Sequence, residues 1–507
     1  MPAAKPKLLD LRHWEPNPVV VKELRQAVRS RAVTGMLLFF LVVLFIAMVI
    51  VLVNESVDFA QDTQAGAEIF TVFVVLLAIA SILFIPLYVG IRMAGERQEN
   101  NADLLYISTL SPTRIILGKF LCGAYVILLF FSACMPFMAF TNLLRGIDLP
   151  TVFLILAFLF CGVCVANMLA IFIACLPVSR TFKILLGLAQ LVLCFYLLVG
   201  AVVASSEMMR FGAGSMMVGV RFWETVATVA SIVAMAGGLL FVLSVALISP
   251  PSANRALPVR VYVTVIWLLG GLLAAYWAWR NTDASIIFQW CDVCTGMLIG
   301  ALVVTVSSKD QLSLRVRRKI PRSRPLRSLA FLFYNGAAGG LIWVALLLIL
   351  TLVASIGFYL QFADITARSS QDFSTVQEVY PPMAAYALAY ALTGLFIHRT
   401  FMPRRRPALA GVFAVSIVTL AVIGPTMVLF FLNDLTWRNM QLLQLGNVSN
   451  LFSLLSSQQR MEHLYFASGW AAIAIVINAR WFLKQVNDFR PIGKPQPQAA
   501  ILPATPQ

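Results

Sequence analysis

Few side chains in this 507-residue chain have the type and spacing that chemistry requires. Two Cys-x-x-Cys spacings, Cys161/Cys164 and Cys291/Cys294, are of the kind that can hold a metal ion or form a redox pair. Both lie in apolar stretches with no partner histidine, so the sequence favours small packing residues. All eight cysteines fall in such stretches, and none is placed for an extracellular disulfide.

Other groups common in catalysis are scattered or missing. His13, His398 and His463 lie far apart beside no clustered carboxylates or cysteines, and no H-E-x-x-H or G-x-S-x-G pattern occurs. The Gly118-Lys119 pair lacks both the Ser or Thr and the first glycine of a phosphate-binding loop. We therefore expect a chain that is not an enzyme, holds no metal or cofactor and hydrolyses no ATP itself.

A charged segment near the N-terminus has the pattern of an amphipathic helix. Asn17 suits a helix cap and Pro18 its first turn. Apolar residues then recur on one face and cations on the other, namely Val20, Leu24, Ala27 and Val28 against Lys22, Arg25 and Arg29. This predicts a helix in the cytoplasmic membrane interface. The alternative is a basic flank that merely orients the following span.

A second charged segment, ERQENNADLLYISTLSPTRIILGK, runs from Glu96 to Lys119 between two long apolar stretches. Ser111 and Pro112 predict the start of a new helix, with Arg114 and Lys119 at its cytoplasmic end. Before them, apolar residues among acidic neighbours are typical of a helix that docks into a groove of another protein: Leu104, Leu105 and Ile107. The alternative is an interfacial return to the membrane without a partner.

The composition, 60% hydrophobic and 12% charged, excludes an ordinary soluble protein. Runs of about 20 apolar residues, enough to cross the hydrocarbon core, recur throughout the chain. They predict an all-α polytopic membrane protein with about twelve transmembrane helices, at 33–53, 69–91, 120–141, 151–177, 184–204, 226–248, 261–279, 286–306, 336–360, 383–397, 408–432 and 465–483. The polar residues before the long first run are not typical of a cleavable signal, so this span should persist in the mature protein.

The distribution of basic residues predicts the topology. With both termini cytoplasmic, 31 of the 38 Lys and Arg lie on the cytoplasmic side, as the positive-inside rule requires. This bias explains the net charge of +16 without nucleic acid. We expect a multi-pass protein of the cell (inner) membrane. The run RVRRKIPRSRPLR is interpreted as a solvated topology signal.

Asp292 is an ionisable residue clearly inside a predicted span, QWCDVCTG. A carboxylate there costs about 2.5–3.5 kcal/mol on insertion scales, which makes it a candidate for a translocation path. The alternative is a place at the outer membrane interface, which Trp290 would mark.

The two charged segments together resemble those of permease subunits of ATP-binding-cassette (ABC) transporters of the type-2 class, many of which are exporters. In that family a helix reading roughly N-P-V-x-x-K-E-L-R precedes span 1, which here is Asn17, Pro18, Lys22, Glu23, Leu24 and Arg25. After span 2 the family has E-x-E-x-G-T-x-E-L-L, then T-x-L-S-P and G-K. The corresponding residues here are Glu96, Glu99, Asp103, Leu104, Leu105, Thr109, Leu110, Ser111, Pro112, Gly118 and Lys119, with Asn101-Ala102 in place of Gly-Thr and Asp103 in place of Glu. Glu99, Thr109 and the Asn101-Ala102 pair each stand one position away from the motif spacing.

The resemblance implies a domain organisation for the first half of the chain. An interfacial helix in 1–32 would precede a six-helix permease core, 33–260, with its cytoplasmic coupling segment at 92–119. The rest is an extension that the resemblance does not cover: two spans in 261–306, a basic cytoplasmic linker at 307–328, further spans in 329–483 and a tail at 484–507.

The resemblance also implies a function, the membrane-spanning subunit of an ABC exporter. ATP and Mg would be bound by a separate ATPase subunit docked on the coupling segment. A second permease would complete a homo- or heterodimer in the lipid bilayer. Two other classes stay open: an ion-coupled secondary transporter that uses Asp292, and a membrane-embedded scaffold or enzyme.

Overall fold

The computed structural model describes residues 18–54, 65–98, 111–143, 147–211, 217, 219–283, 285–362, 370–431, 444–452 and 456–491. This part of the chain is built of helices and contains no β-strand. Eleven of its helices are long and apolar enough to cross a membrane. The predicted all-α polytopic fold is therefore confirmed. The chain divides into two compact units, residues 1–250 and 251–507.

The helices described in the first unit are α1 (Pro18–Val28), α2 (Arg31–Asn54), α3 (Ala65–Ile79), α4 (Ile85–Gln98), α5 (Pro112–Leu143), α6 (Leu149–Cys175), α7 (Arg180–Phe211) and α8 (Val220–Ile248). Helix α6 packs against α4, α5, α7 and α8. Large apolar side chains from α3, α5 and α6 form the core, among them Phe70, Phe73, Phe130 and Ile171. This continuous apolar core holds the ends of α4 and α5 in place.

A π-helical turn, Ala80–Phe84, joins α3 to α4 without a break. Pro86 stands two residues after this turn, and proline has no N–H with which to continue the hydrogen-bond ladder of an α-helix. A wider turn accommodates this loss and the proline ring. The hydroxyl of Ser81 donates to the carbonyl oxygen of Leu77 at 2.6 Å within the same stretch. Residues 65–98 thus form one continuous helical element.

Helix α5 begins at Pro112, which confirms the predicted helix start at Ser111-Pro112. The hydroxyl of Ser111 accepts a hydrogen bond from the backbone N–H of Arg114 at 3.4 Å, as a capping residue does. The sequence had separated this start from a span beginning at residue 120. The structure instead shows a single helix of 32 residues. A displacement of the first turn of α5 would therefore move the span with it.

The second unit contains α9 (Ala256–Asn281), α10 (Ser285–Val306), the short α11 (Leu314–Arg317), α12 (Arg324–Phe333), α13 (Ala337–Phe362), α14 (Ser370–Phe401), α15 (Ala408–Phe431) and α16 (Ser457–Asp488) among its described residues. A 3-10 turn, Val448–Phe452, precedes α16. Helix α14 packs against α10, α13, α15 and α16.

The predicted tenth span, 383–397, lies within α14 and is not among the eleven helices apolar enough to cross a membrane. Helix α14 has 32 residues, about 48 Å of helix, so its length is sufficient. Its surroundings explain its lower hydropathy, because Tyr386 and Tyr390 are buried against the neighbouring helices rather than turned outward. A helix enclosed by other helices can carry polar groups that a lipid-facing helix cannot.

Candidate functional site

Helix α1 is amphipathic and packs against α5 in the first unit. Val20 and Ala27 are buried, while Lys22 and Arg25 are exposed, as the sequence pattern predicts. Val28, placed on the apolar face, is 72% exposed. The buried face also contains an anion, because Glu23 is only 6% exposed. A buried carboxylate requires a compensating cation.

Lys119 of α5 supplies that cation. Its Nζ lies 3.0 Å from Oε1 of Glu23 and 2.6 Å from Oε2 of Glu96, which stands near the end of α4. The side chain of Lys119 is only 7% exposed, whereas that of Glu96 is 35% exposed. One ammonium therefore joins α1, α4 and α5.

Arg92 of α4 adds a second cation to this group. Its Nη2 lies 3.6 Å from Oε2 of Glu23 and also donates to Oε1 of Gln26. Its Nη1 donates to the hydroxyl of Tyr88 at 2.9 Å, and the guanidinium lies 5.6 Å from the centroid of the same ring. These contacts fix the guanidinium against α1.

The four charged residues, Glu23, Arg92, Glu96 and Lys119, are called here the ion-pair network. Two carboxylates face two cations, so the group is neutral as a whole. Removing an ion from water costs several kcal/mol, which mutual attraction and hydrogen bonds offset only when every member has a partner. Loss of one member would therefore leave a buried charge without its partner, which costs more free energy than the loss of an exposed ion pair.

Residues that lie far apart in the sequence are thus brought together. Glu23 belongs to the N-terminal charged segment, Glu96 to the start of the second and Lys119 to its end. The sequence expected Glu96 and Lys119 to couple to an ATPase. The structure places both charges in a contact within the chain, and the burial of Lys119 leaves its ammonium no free surface for a partner.

The structure describes only part of the two predicted segments. Pro18 begins α1, Arg114 is exposed in the first turn of α5, and Gly118 is buried beside Lys119. Several predicted residues lie outside the described part of the chain: Asn17, Glu99, Asp103, Leu104, Leu105 and Ile107.

Asp292 lies on an exposed face of α10, next to Val293, which is 70% exposed. It is not enclosed by the helices of its own unit. The neighbouring Cys291 and Cys294 are buried, while Cys161 of the other Cys-x-x-Cys spacing is exposed. Among the described residues, no group of three or more His, Cys, Asp or Glu could hold a metal ion.

Two features were not predicted from the sequence. The first is the contact between Arg92 and Tyr88, for which their spacing of four residues on a helix is the only sequence signal. In the second unit, His463 is buried, with Nδ1 2.9 Å from the hydroxyl of Tyr386 and Nε2 3.3 Å from Nδ2 of Asn450. No sequence pattern pointed to this contact, because 77 residues separate Tyr386 from His463.

Comparison of the chain with protein-family models, curated proteins and solved structures finds no match. The kinship implied by the two charged segments therefore stays a prediction.

Proposed function

We propose that the chain is the permease subunit of an ABC transporter and exports a substrate with ATP hydrolysed by a separate ATPase subunit. The observation that carries the proposal is the ion-pair network. Three of its residues, Glu23, Glu96 and Lys119, stand at positions of the family's motifs, and Lys119 pairs directly with both glutamates. A loop that merely joined two spans would not need a buried ionic contact with the helix before span 1.

The network supports a mechanical role for the segment between α4 and α5. This segment, residues 99–110, starts at the end of α4 and finishes at the start of α5. Along the chain, Glu96 of α4 precedes this segment and Lys119 of α5 follows it, and the two side chains form an ion pair. A partner that pulled on the segment would therefore displace α1, α4 and α5 together.

The force would come from the partner, since the chain has no phosphate-binding loop of its own. The ATPase would hold ATP and Mg, and two permeases would form the transport path as a homo- or heterodimer. Continuity of α5 with its span would carry the displacement into the membrane. The chain would work in this way in the cell (inner) membrane.

The experiment that tests the proposal is an affinity purification in mild detergent. We expect an ATPase to co-purify with the wild-type chain and to be lost from the double variant Leu104→Asp/Ile107→Asp. If each side chain fills an apolar groove worth about 1.5–3 kcal/mol, the double change lowers affinity by about two to four decades.

A matched control is Phe401→Asp/Met402→Asp. These two side chains are exposed at the end of α14, in a segment predicted to be cytoplasmic, at 72% and 41%. This control should retain the ATPase, and both variants should insert normally in a protease-protection assay. A correctly inserted Leu104→Asp/Ile107→Asp variant that keeps its ATPase at full stoichiometry would contradict the docking role.

A further inference from the structure

Helix α12 has an apolar face that its own unit leaves uncovered. Ser323 stands before the helix and Pro325 in its first turn, both favourable positions for a helix start. None of its ten residues is buried. Leu326 and Leu329 are 57% and 55% exposed, and their spacing of three places them on one face.

The opposite side of α12 is fixed to the protein. The ring of Phe331 packs against Phe489 at 5.3 Å between centroids. Arg260 of α9, only 3% exposed, donates from Nη1 to the carbonyl oxygens of Leu332 and Tyr334 at 2.8 Å and 2.6 Å. A cation at the C-terminal carbonyls is a favourable helix end. The outward direction of the two leucines is therefore held in place.

The approach to this helix is strongly basic. Seven cations and no acidic residue occur from position 315 to position 327: Arg315, Arg317, Arg318, Lys319, Arg322, Arg324 and Arg327. Most of these side chains are exposed. An exposed leucine pair beside dense positive charge is the pattern of a helix that lies on an anionic lipid surface.

We propose that α12 and the basic segment before it bind the anionic phospholipids of the leaflet that α13 enters. Leu326 and Leu329 would lie at the acyl boundary, with the arginines at the phosphates. Two observations select lipid as the occupant. The first is charge complementarity. The second is continuity, since only three residues separate α12 from α13, which is itself a candidate span.

This inference is independent of the ABC proposal and revises the interpretation of the basic run as a solvated topology signal. Topology alone requires positive charge but no apolar face and no fixed orientation. Binding through charge and leucines makes the second unit sensitive to the anionic lipid content of its leaflet.

The test uses the full-length chain in nanodiscs of phosphatidylcholine alone or of equal parts phosphatidylcholine and phosphatidylglycerol. Trypsin cleavage after Arg322 is followed by mass spectrometry. Cleavage after Arg405 is the internal control, because this arginine is also exposed between helices of the second unit but has no amphipathic helix beside it. We expect phosphatidylglycerol to slow cleavage after Arg322 at least about threefold more than cleavage after Arg405.

The variant Leu326→Ser/Leu329→Ser should lose most of this protection. Both residues are exposed, so cleavage after Arg405 and the gel-filtration profile should match the wild type. Equal slowing at both arginines would reduce the effect to general surface charge and overturn the proposal. Strong protection of Arg322 in both lipid mixtures would assign the face to a protein occupant instead. Full protection of Arg322 by phosphatidylglycerol in the serine variant would show that Leu326 and Leu329 do not contact the lipid, and it would also overturn the proposal.

Discussion

The ammonium of Lys119 lies 3.0 Å from the carboxylate of Glu23, although 96 positions separate the two residues. Both side chains are buried, at 7% and 8% exposure. The helix before the first span is therefore joined to the start of α5 inside the first unit. The contribution of this ion pair to the packing of α1 can be tested by substitution.

Lys119→Met should destabilise the protein by about 3 kcal/mol, because it leaves Glu23 buried with too little compensating charge. The double variant Glu23→Gln/Lys119→Met keeps one anion and one cation, Glu96 and Arg92. It should therefore lose less stability than the two single losses added together. Thermal unfolding in detergent measures all three variants.

The control for these variants is Lys22→Met, which removes an exposed cation from α1, the helix that contains Glu23. It should change the free energy of unfolding by no more than about 0.5 kcal/mol. If Lys119→Met lowered the free energy of unfolding no more than Lys22→Met, the ion-pair network would not contribute to stability.

Gly394→Ala should destabilise the second unit. A Cβ at this position of α14 would lie 2.6 Å from the backbone nitrogen of Ala414 in α15, so the helices must move apart. Such overpacking costs about 1–3 kcal/mol. Gly424→Ala is the control, since its Cβ would meet nothing within 4 Å and a helix gains up to about 1 kcal/mol from the exchange. Melting temperatures that shift in opposite directions are expected, and equal shifts would refute the close α14–α15 contact.

Asp310 should make stability depend on pH. It lies in the segment between α10 and α11, where Oδ2 accepts from the indole N–H of Trp481 at 2.9 Å. Burial raises the pKa of this carboxyl above its ordinary value of about 4, against the opposing effects of its hydrogen bonds and of Arg399 and His398. A raised pKa contributes stability that is complete below the ordinary value and is lost as pH rises through the folded-state value.

Asp310→Asn should abolish that loss. The melting temperature of the variant minus that of the wild type is therefore expected to become more positive between about pH 4 and pH 7. Asp488→Asn, at an exposed residue, serves as control. A difference that stays constant across this range would rule out Asp310 as the group responsible.

Reporter fusions test whether α14 crosses the membrane. Insertions within 363–369 and at Arg405 flank this helix and should report opposite sides, external and cytoplasmic. Fusions at residue 507 and near residue 440 should likewise report the cytoplasm and the exterior. Reporters on the same side at 363–369 and Arg405 would leave eleven spans and place the two termini on opposite sides.

The sequence predicted the fold class and the positions of eleven apolar helices, because a length of about 20 apolar residues is a strong and local signal. It underestimated the length of α14, of which only 383–397 was predicted as a span. The polar groups of this helix are acceptable because other helices enclose it. It located the helix starts at Pro18 and Pro112, where capping and proline chemistry act within a few residues.

The ion-pair network could not be assembled from the sequence. Glu23 and Lys119 each belonged to a recognisable segment, but a contact across 96 positions follows from the packing of α1 on α5. Arg92 was missed because nothing local distinguishes a cation that orients a span from one that pairs inside the protein. The residues were therefore predictable singly, while their contacts were not.

The π-helical turn at Ala80–Phe84 determines which side chains reach the network. One additional residue in a turn rotates everything after it by about 100° around the helix axis relative to an uninterrupted α-helix. In such an uninterrupted helix, Ile91 and Gly95 would occupy the directions that Arg92 and Glu96 now have. The extra residue near the middle of this helical element thus decides whether charged or uncharged side chains face Lys119 at the end of α4.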